Sequence, residues 1–122
     1  MRKAKLSLET IDPGLRAAVE ASQEKKATDL VVLDLRGLAS FTDYFLLCTG
    51  STRRQLKAIV DGIEETLTRR QVKPGHVEGY PNGDWILMDY VDFIVHVFTP
   101  TSRSHYDLER LWGDAERLAI AS

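Results

Sequence analysis

The chain has a single cysteine, Cys48, in 122 residues, so no internal disulfide can form and the fold must be held by its core. A domain of this length hides roughly two-thirds of the surface its unfolded form exposes, which makes such staples unnecessary. Cys48 lies in an apolar run and reads as a small buried hydrophobe. No apolar run approaches the roughly 18 residues a membrane-spanning helix needs. The first residues lack the apolar stretch of a secretory leader. Together these absences make a cytoplasmic protein the expectation. An excess of one charge is missing too: 16 Lys and Arg face 18 Asp and Glu, for a net charge of −2. Bare nucleic acid calls for a basic face that displaces counterions. Arg53, Arg54, Arg69, Arg70 and Lys73 are instead interleaved with Asp61, Glu64 and Glu65, as on a solvated helix face. Direct sequence-specific nucleic-acid binding is therefore not expected. Metal-ligand spacing is absent among His76, His96 and His105. His96, mid-strand between Val95 and Val97, reads as a structural histidine with a hydrogen-bonded ring.

What is present is an ordinary globular composition, 43% hydrophobic and 28% charged, with clear punctuation. Residues 1–11 read as a flexible arm. Asp12-Pro13 starts a helix, with Asp as cap and Pro in the first turn, running to about Lys26. Leu30–Leu33 and Tyr44–Thr49 read as short buried strands. Thr52-Arg53-Arg54-Gln55 matches a capping box, and Leu56, Ile59, Val60, Ile63 and Leu67 then form one apolar stripe. Lys73-Pro74-Gly75 stops that helix. Three strands follow, Val77–Tyr80, Trp85–Tyr90 and Phe93–Phe98. Pro81-Asn82-Gly83-Asp84 signals a hairpin between the first two, and the short link after Tyr90 forces an antiparallel pair. From Ser104 onward, Leu108, Leu111, Trp112, Ala115, Leu118 and Ala119 fit a final helix. The expected fold is α/β: a single domain with a mixed five-stranded sheet and packed helices.

Two segments could carry function. Gly50-Ser51 lies between a strand and a helix, where backbone donors can hold a phosphate. Nucleotidyltransferases begin their phosphate site with such a Gly-Ser. They also need two carboxylates one residue apart on the next strand, pointing the same way. Asp89 and Asp92 are three apart and almost forty residues further on, so the catalytic spacing is missing. Gly50-Ser51 reads better as strand termination and helix capping. The Cys48 neighbours, Leu47 and Thr49, give no reason for a reactive thiolate.

The second segment is Asp84-Trp85-Ile86-Leu87-Met88-Asp89-Tyr90-Val91-Asp92. Trp85, Leu87 and Asp89 share one strand face; Ile86, Met88 and Tyr90 share the other. A strand with one wet face should alternate apolar and polar, and this one does not. One reading is a central strand with cover on one face. The other makes the second face part of a protein-binding patch rich in Trp, Tyr and Met, types enriched at interface cores. An acidic rim of Asp84, Asp89 and Asp92 suits a basic partner.

Several ordered segments then resemble one family. They are Ala39–Phe45, Thr49–Gln55, Val77–Gly79, Asp84–Tyr90, Val95–Phe98 and Tyr106–Trp112. They look like the ribosomal silencing factor S, or Iojap-related, family, over residues 12–113, with 114–122 a helix end and tail beyond the strong match. The resemblance implies a nucleotidyltransferase-like fold without enzymatic chemistry: no catalytic residue, metal or cofactor. It implies a homodimer that binds the large ribosomal subunit through ribosomal protein L-fourteen. Bound there, such a factor sterically blocks joining of the small subunit and represses translation, chiefly under nutrient limitation. The family's contact region maps onto Trp85, Met88, Asp89, Tyr90 and Asp92, with Glu78 and Gly79 alongside. Val91 departs from the family, which usually has glycine there; glycine tolerates positive φ and a β-branched residue does not. A nucleotidyltransferase-like enzyme and a dimeric binding module for another basic protein are the alternatives.

Overall fold

The computed structural model describes residues 6–121. Asp12 opens the first helix, α1 (Pro13–Glu24). Its carboxylate accepts the N–H groups of Gly14 and Leu15 at 2.7 and 3.2 Å, satisfying donors that have no partner inside the helix. Two antiparallel strands follow, β1 (Thr28–Asp34) and β2 (Tyr44–Thr49). The long helix α2 (Arg53–Arg69) carries its whole apolar stripe inward: Leu56, Ile59, Val60, Ile63 and Leu67 are all buried. Its cap differs in one detail from the capping box. The Thr52 hydroxyl accepts from Gln55 N–H as expected, but the Gln55 amide oxygen accepts from Ser51 N–H, one residue further out. The Gln55 amide nitrogen instead donates to the carbonyls of Lys25 and Lys26, tying α2 to the end of α1.

Strands β3 (His76–Glu78), β4 (Trp85–Asp89) and β5 (Phe93–Phe98) form an antiparallel meander. The sheet order is β3-β4-β5-β2-β1-β6. Strands β2 and β5 run parallel, and every other neighbouring pair is antiparallel. The α/β class and the mixed sheet are as expected, but the sheet has six strands, not five.

The extra strand corrects the reading of the C-terminal third. The expected final helix is broken into α3 (Pro100–Tyr106) and α4 (Leu108–Leu111), followed by β6 (Glu116–Ile120). Asp107 between the two helices stands at φ +46°, which no helix can pass through. Strand β6 pairs antiparallel with β1 from Glu116 to Ile120. Residues 116–120 are therefore a strand rather than a helix end, and a boundary at 113 would separate β6 from its sheet. At the other end, residues 1–5 lie outside the described residues. Leu6 and Ile11 are buried in the core, so residues 6–11 do not form a loose arm.

The two faces of the sheet are covered unequally. One packs against α1 and α2, with Ile86, Met88, Val95 and Val97 of β4 and β5 directed into that core. The other carries Leu33, Phe45, Leu47, Ile94 and Phe98, covered by Leu108 and Ala115 from the short α3–α4 segment and the turn before β6. Two 4- to 7-residue helices cannot span a six-stranded sheet at 1.5 Å per residue.

Candidate functional site

Burial sorts the residues of β4 and settles which face is closed. Ile86 and Met88 are fully buried and Tyr90 nearly so, while Trp85, Leu87 and Asp89 are half-buried. The open face is the one bearing Trp85, Leu87 and Asp89; of the expected contact residues on this strand, Trp85 and Asp89 lie on it, whereas Met88 and Tyr90 lie on the closed face. Helix α2 is the physical reason: its stripe needs an apolar surface, and the meander supplies that one. Met88 and Tyr90 thus lie in the helix-covered core beneath the sheet. The Tyr90 ring stacks on Phe93, and desolvation raises its pKa.

On the open face a chain of rings runs from Tyr106 to Phe41. Tyr106 lies 4.4 Å from Trp85, centroid to centroid, and Trp85 stacks on Phe98 at 5.3 Å. The indole Nε1–H of Trp85 donates to His96 Nδ1 at 3.1 Å. Phe45 meets His96 at 4.4 Å and Trp112 at 5.9 Å, both edge to face. Phe41 closes the row, 6.1 Å from Trp112. Both ends of the row are open: Tyr106 is 48% and Phe41 55% exposed. Leu111, on α4 beside Trp112, is 72% exposed. Between them Phe45, His96 and Phe98 are buried, so the exposure is concentrated at the two ends of the row.

His96 is the hinge of the row and a structural histidine, as its sequence setting suggested. Accepting from Trp85 at Nδ1 fixes the neutral tautomer with its proton on Nε2. Burial pushes its pKa down to about 3, because a charged ring would lose its hydration with no carboxylate to compensate. The Cys48 thiol, fully buried on the opposite face, is pushed up to about 12 by the same cause and is inert.

The remaining expected site residues fall into three places. Asp89 and Asp92 flank the β4–β5 turn, opposite Trp85 along β4, and the Asp89 carboxylate accepts Val91 N–H at 2.8 Å. Glu78, on the edge strand β3, is exposed and pairs with His76 at 3.0 Å. Gly79 follows it at φ +83°, where an added Cβ would come 2.1 Å from the Trp85 carbonyl oxygen. Glycine there is required by the backbone, not by a partner. Asp84 forms an exposed ion pair with Arg53 at 2.8 Å. The sequence reading missed Phe41, Tyr106, Leu111 and Trp112 as members of the open face. Their signal was only that each is a large apolar residue in a segment with no strand partner.

The ends of β2 and β5 meet at a cleft of about 550 Å³ lined by Ser51, Thr52, Arg53, Asp84, Thr99 and Ser102, among others. Several of its polar groups are engaged within the fold. Thr52 and Thr99 hydroxyls cap α2 and α3, Ser102 Oγ donates to the Asp84 carbonyl, and Arg53 is paired. A Cβ on Gly50 would lie 2.8 Å from the Leu56 side chain. Gly50-Ser51 thus serves strand termination and close helix packing. No group of three or more His, Cys, Asp or Glu among the described residues could hold a metal ion. No helix among them is long and apolar enough to cross a membrane.

Comparison with known proteins gives this open face a context. The family described as "Ribosomal silencing factor during starvation" matches residues 8–122. A ribosomal silencing factor of Halalkalibacterium halodurans is 38% identical over 106 residues, 87% of this chain and 91% of that protein. The crystal structure of a Chromobacterium violaceum protein superposes with a TM-score of 0.81 at 30% identity, covering 96% of this chain and 95% of the other. A more distant relative, "Mitochondrial assembly of ribosomal large subunit protein 1" of Mus musculus, is 27% identical over 97 residues, 77% of this chain and 42% of that protein. The match spans both the helix-covered core and the open aromatic face, and the chain belongs to the ribosomal silencing factor family.

Proposed function

We propose that this chain docks on the large ribosomal subunit through its half-covered aromatic face and obstructs joining of the small subunit, so repressing translation. The observation that carries this reading is the ring row from Tyr106 to Phe41, left open beside β4 in a chain of the silencing-factor family. Trp85, Leu87 and Asp89 form the floor nearest the β4 edge. The contact on the subunit is ribosomal protein L-fourteen. Asp89 and Asp92 meet its basic side chains, which speeds encounter and sets orientation. Glu78 and Gly79 border this contact on β3, while Met88 and Tyr90 shape it from below. The free protein is a homodimer in the cytoplasm, where ribosomes are.

The mechanism is exclusion. A bound domain fills space that the other subunit must enter, and no bond is made or broken. Catalytic groups, metals and cofactors have no part in it. The test is a sucrose-gradient experiment with purified subunits. Co-sedimentation with large but not small subunits is expected, with a loss of joined ribosomes as the protein is added. Joining that is unaffected at saturating protein overturns the steric reading.

A further inference from the structure

Two short helices on either side of a left-handed residue do not set each other's direction. Asp107 stands at φ +46° between α3 and α4, so one helical ladder ends there and another begins. Among the described residues, no backbone hydrogen bond joins residues 100–112 to the sheet; the N–H groups of Arg103, Asp107, Leu111 and Trp112 all find acceptors within the segment or on its Thr99 cap. Three side-chain hydrogen bonds make the connection instead. Ser102 Oγ donates to the Asp84 carbonyl at the start of α3. The other two run through one ion pair. Arg103 on α3 donates from Nε and Nη2 to the Glu109 carboxylate on α4, at 2.8 and 3.2 Å. Its Nη1 donates to Thr49 Oγ1, at the end of β2, at 2.9 Å. Arg117 on β6 donates to the same carboxylate at 2.9 Å. The pair is shielded, with side chains 12% and 20% exposed, and the Arg103 fork holds the Glu109 carboxyl below its ordinary pKa. Apolar packing alone leaves the segment free to pivot: Leu108 is the single buried apolar side chain of the two helices.

We infer that Arg103 is a positioning residue of the docking face: its planar fork fixes α4 against β2 across the Asp107 break, so that Tyr106, Leu111 and Trp112 stand with Trp85 as one surface. The inference rests on the docking reading above and adds a residue that acts through others. Lysine cannot take its place, because one ammonium cannot hold both carboxylate oxygens and the Thr49 hydroxyl in a fixed plane.

The experiment compares Arg103→Lys, Glu109→Gln and the double variant with the unaltered protein, by amide hydrogen exchange and by titration against purified large subunits. In each single variant the Leu111 and Trp112 amides should exchange about tenfold faster, while those of α2 stay within about twofold. Affinity per folded molecule should fall about fivefold. The double variant should dock within about twofold of either single one, because both changes open the same clasp. Exchange that accelerates equally in α4 and α2 overturns the inference, since the pair would then serve the whole fold. A docking loss with α4 exchange unchanged also overturns it, because the pair would then be a direct contact. Additive losses in the double variant do the same. Equal docking by the variants and the unaltered protein removes the inference and leaves the docking reading intact. No docking by the unaltered protein sinks the docking reading and the inference with it.

Discussion

The two faces of the sheet are built from similar residue types and meet different fates. On the α1–α2 face, aliphatic side chains pack against two long helices: Leu46, Ile86, Met88, Val95 and Val97 are wholly buried. On the α3–α4 face the cover is short, so Trp85, Leu87 and Trp112 stay half-buried, and Phe41, Tyr106 and Leu111 lie in the open. The contrast shows that apolar content does not tell a closed face from a half-open one. What tells them apart is the length of the element packed above.

Changing a core residue sharpens this comparison most. Met88→Ala removes a fully buried side chain from beneath α2 and should cost about 3 kcal/mol of stability. Urea unfolding measures it. Docking per folded molecule should be almost unchanged, because Met88 supports the surface and does not form it. A folded Met88→Ala protein with full stability and lost docking would abolish the division between the faces.

Trp85→Ala comes next and probes the open face. An aromatic anchor at an interface centre contributes about 2 kcal/mol to binding, so affinity for large subunits should fall by that amount. Stability falls too, because Trp85 packs on Phe98 and donates to His96. Affinity must therefore be expressed per folded molecule. Docking left intact would move the contact off β4.

His96 lets pH act on one face alone. Its folded pKa, about 3, lies below the ordinary 6.5 of the unfolded chain. Between those values the unfolded chain binds a proton that the native ring refuses. The stability is thus complete above about pH 6.5 and is lost as pH falls, by about 1.4 kcal/mol per pH unit. His96→Asn, which can still accept from Trp85, should remove that share of the acid slope in urea titrations at pH 4 to 7. An unchanged slope would mean that the ring is not sealed.

The sequence made most of the frame legible because the frame rests on local signals. Asp12-Pro13, Thr52 and Gly83 do in the fold what their chemistry suggested, as cap, cap and turn. β2 and β5 keep their expected bounds. What failed depended on partners far along the chain. Leu108, Leu111, Ala115 and Leu118 do recur at helical spacing, yet Asp107 turns left-handed and the stretch from Glu116 pairs with β1 more than eighty residues away. Alternation along β4 correctly divided its residues into two sets. It could not say which set would meet α2, because both sets are apolar enough to be buried.

Leu111 offers the smallest and cleanest separation of the two faces. It is the most exposed large apolar side chain among the described residues, so the fold gains almost nothing from it. Leu111→Ser should leave stability within about 0.5 kcal/mol. If α4 borders the docking surface, affinity for large subunits should fall by about 1 kcal/mol, and a solubility gain should accompany it as the apolar patch shrinks. The paired measurement matters more than either number. A stability loss would mean that α4 seals its face as α2 seals the other, and the asymmetry on which the docking reading depends would vanish.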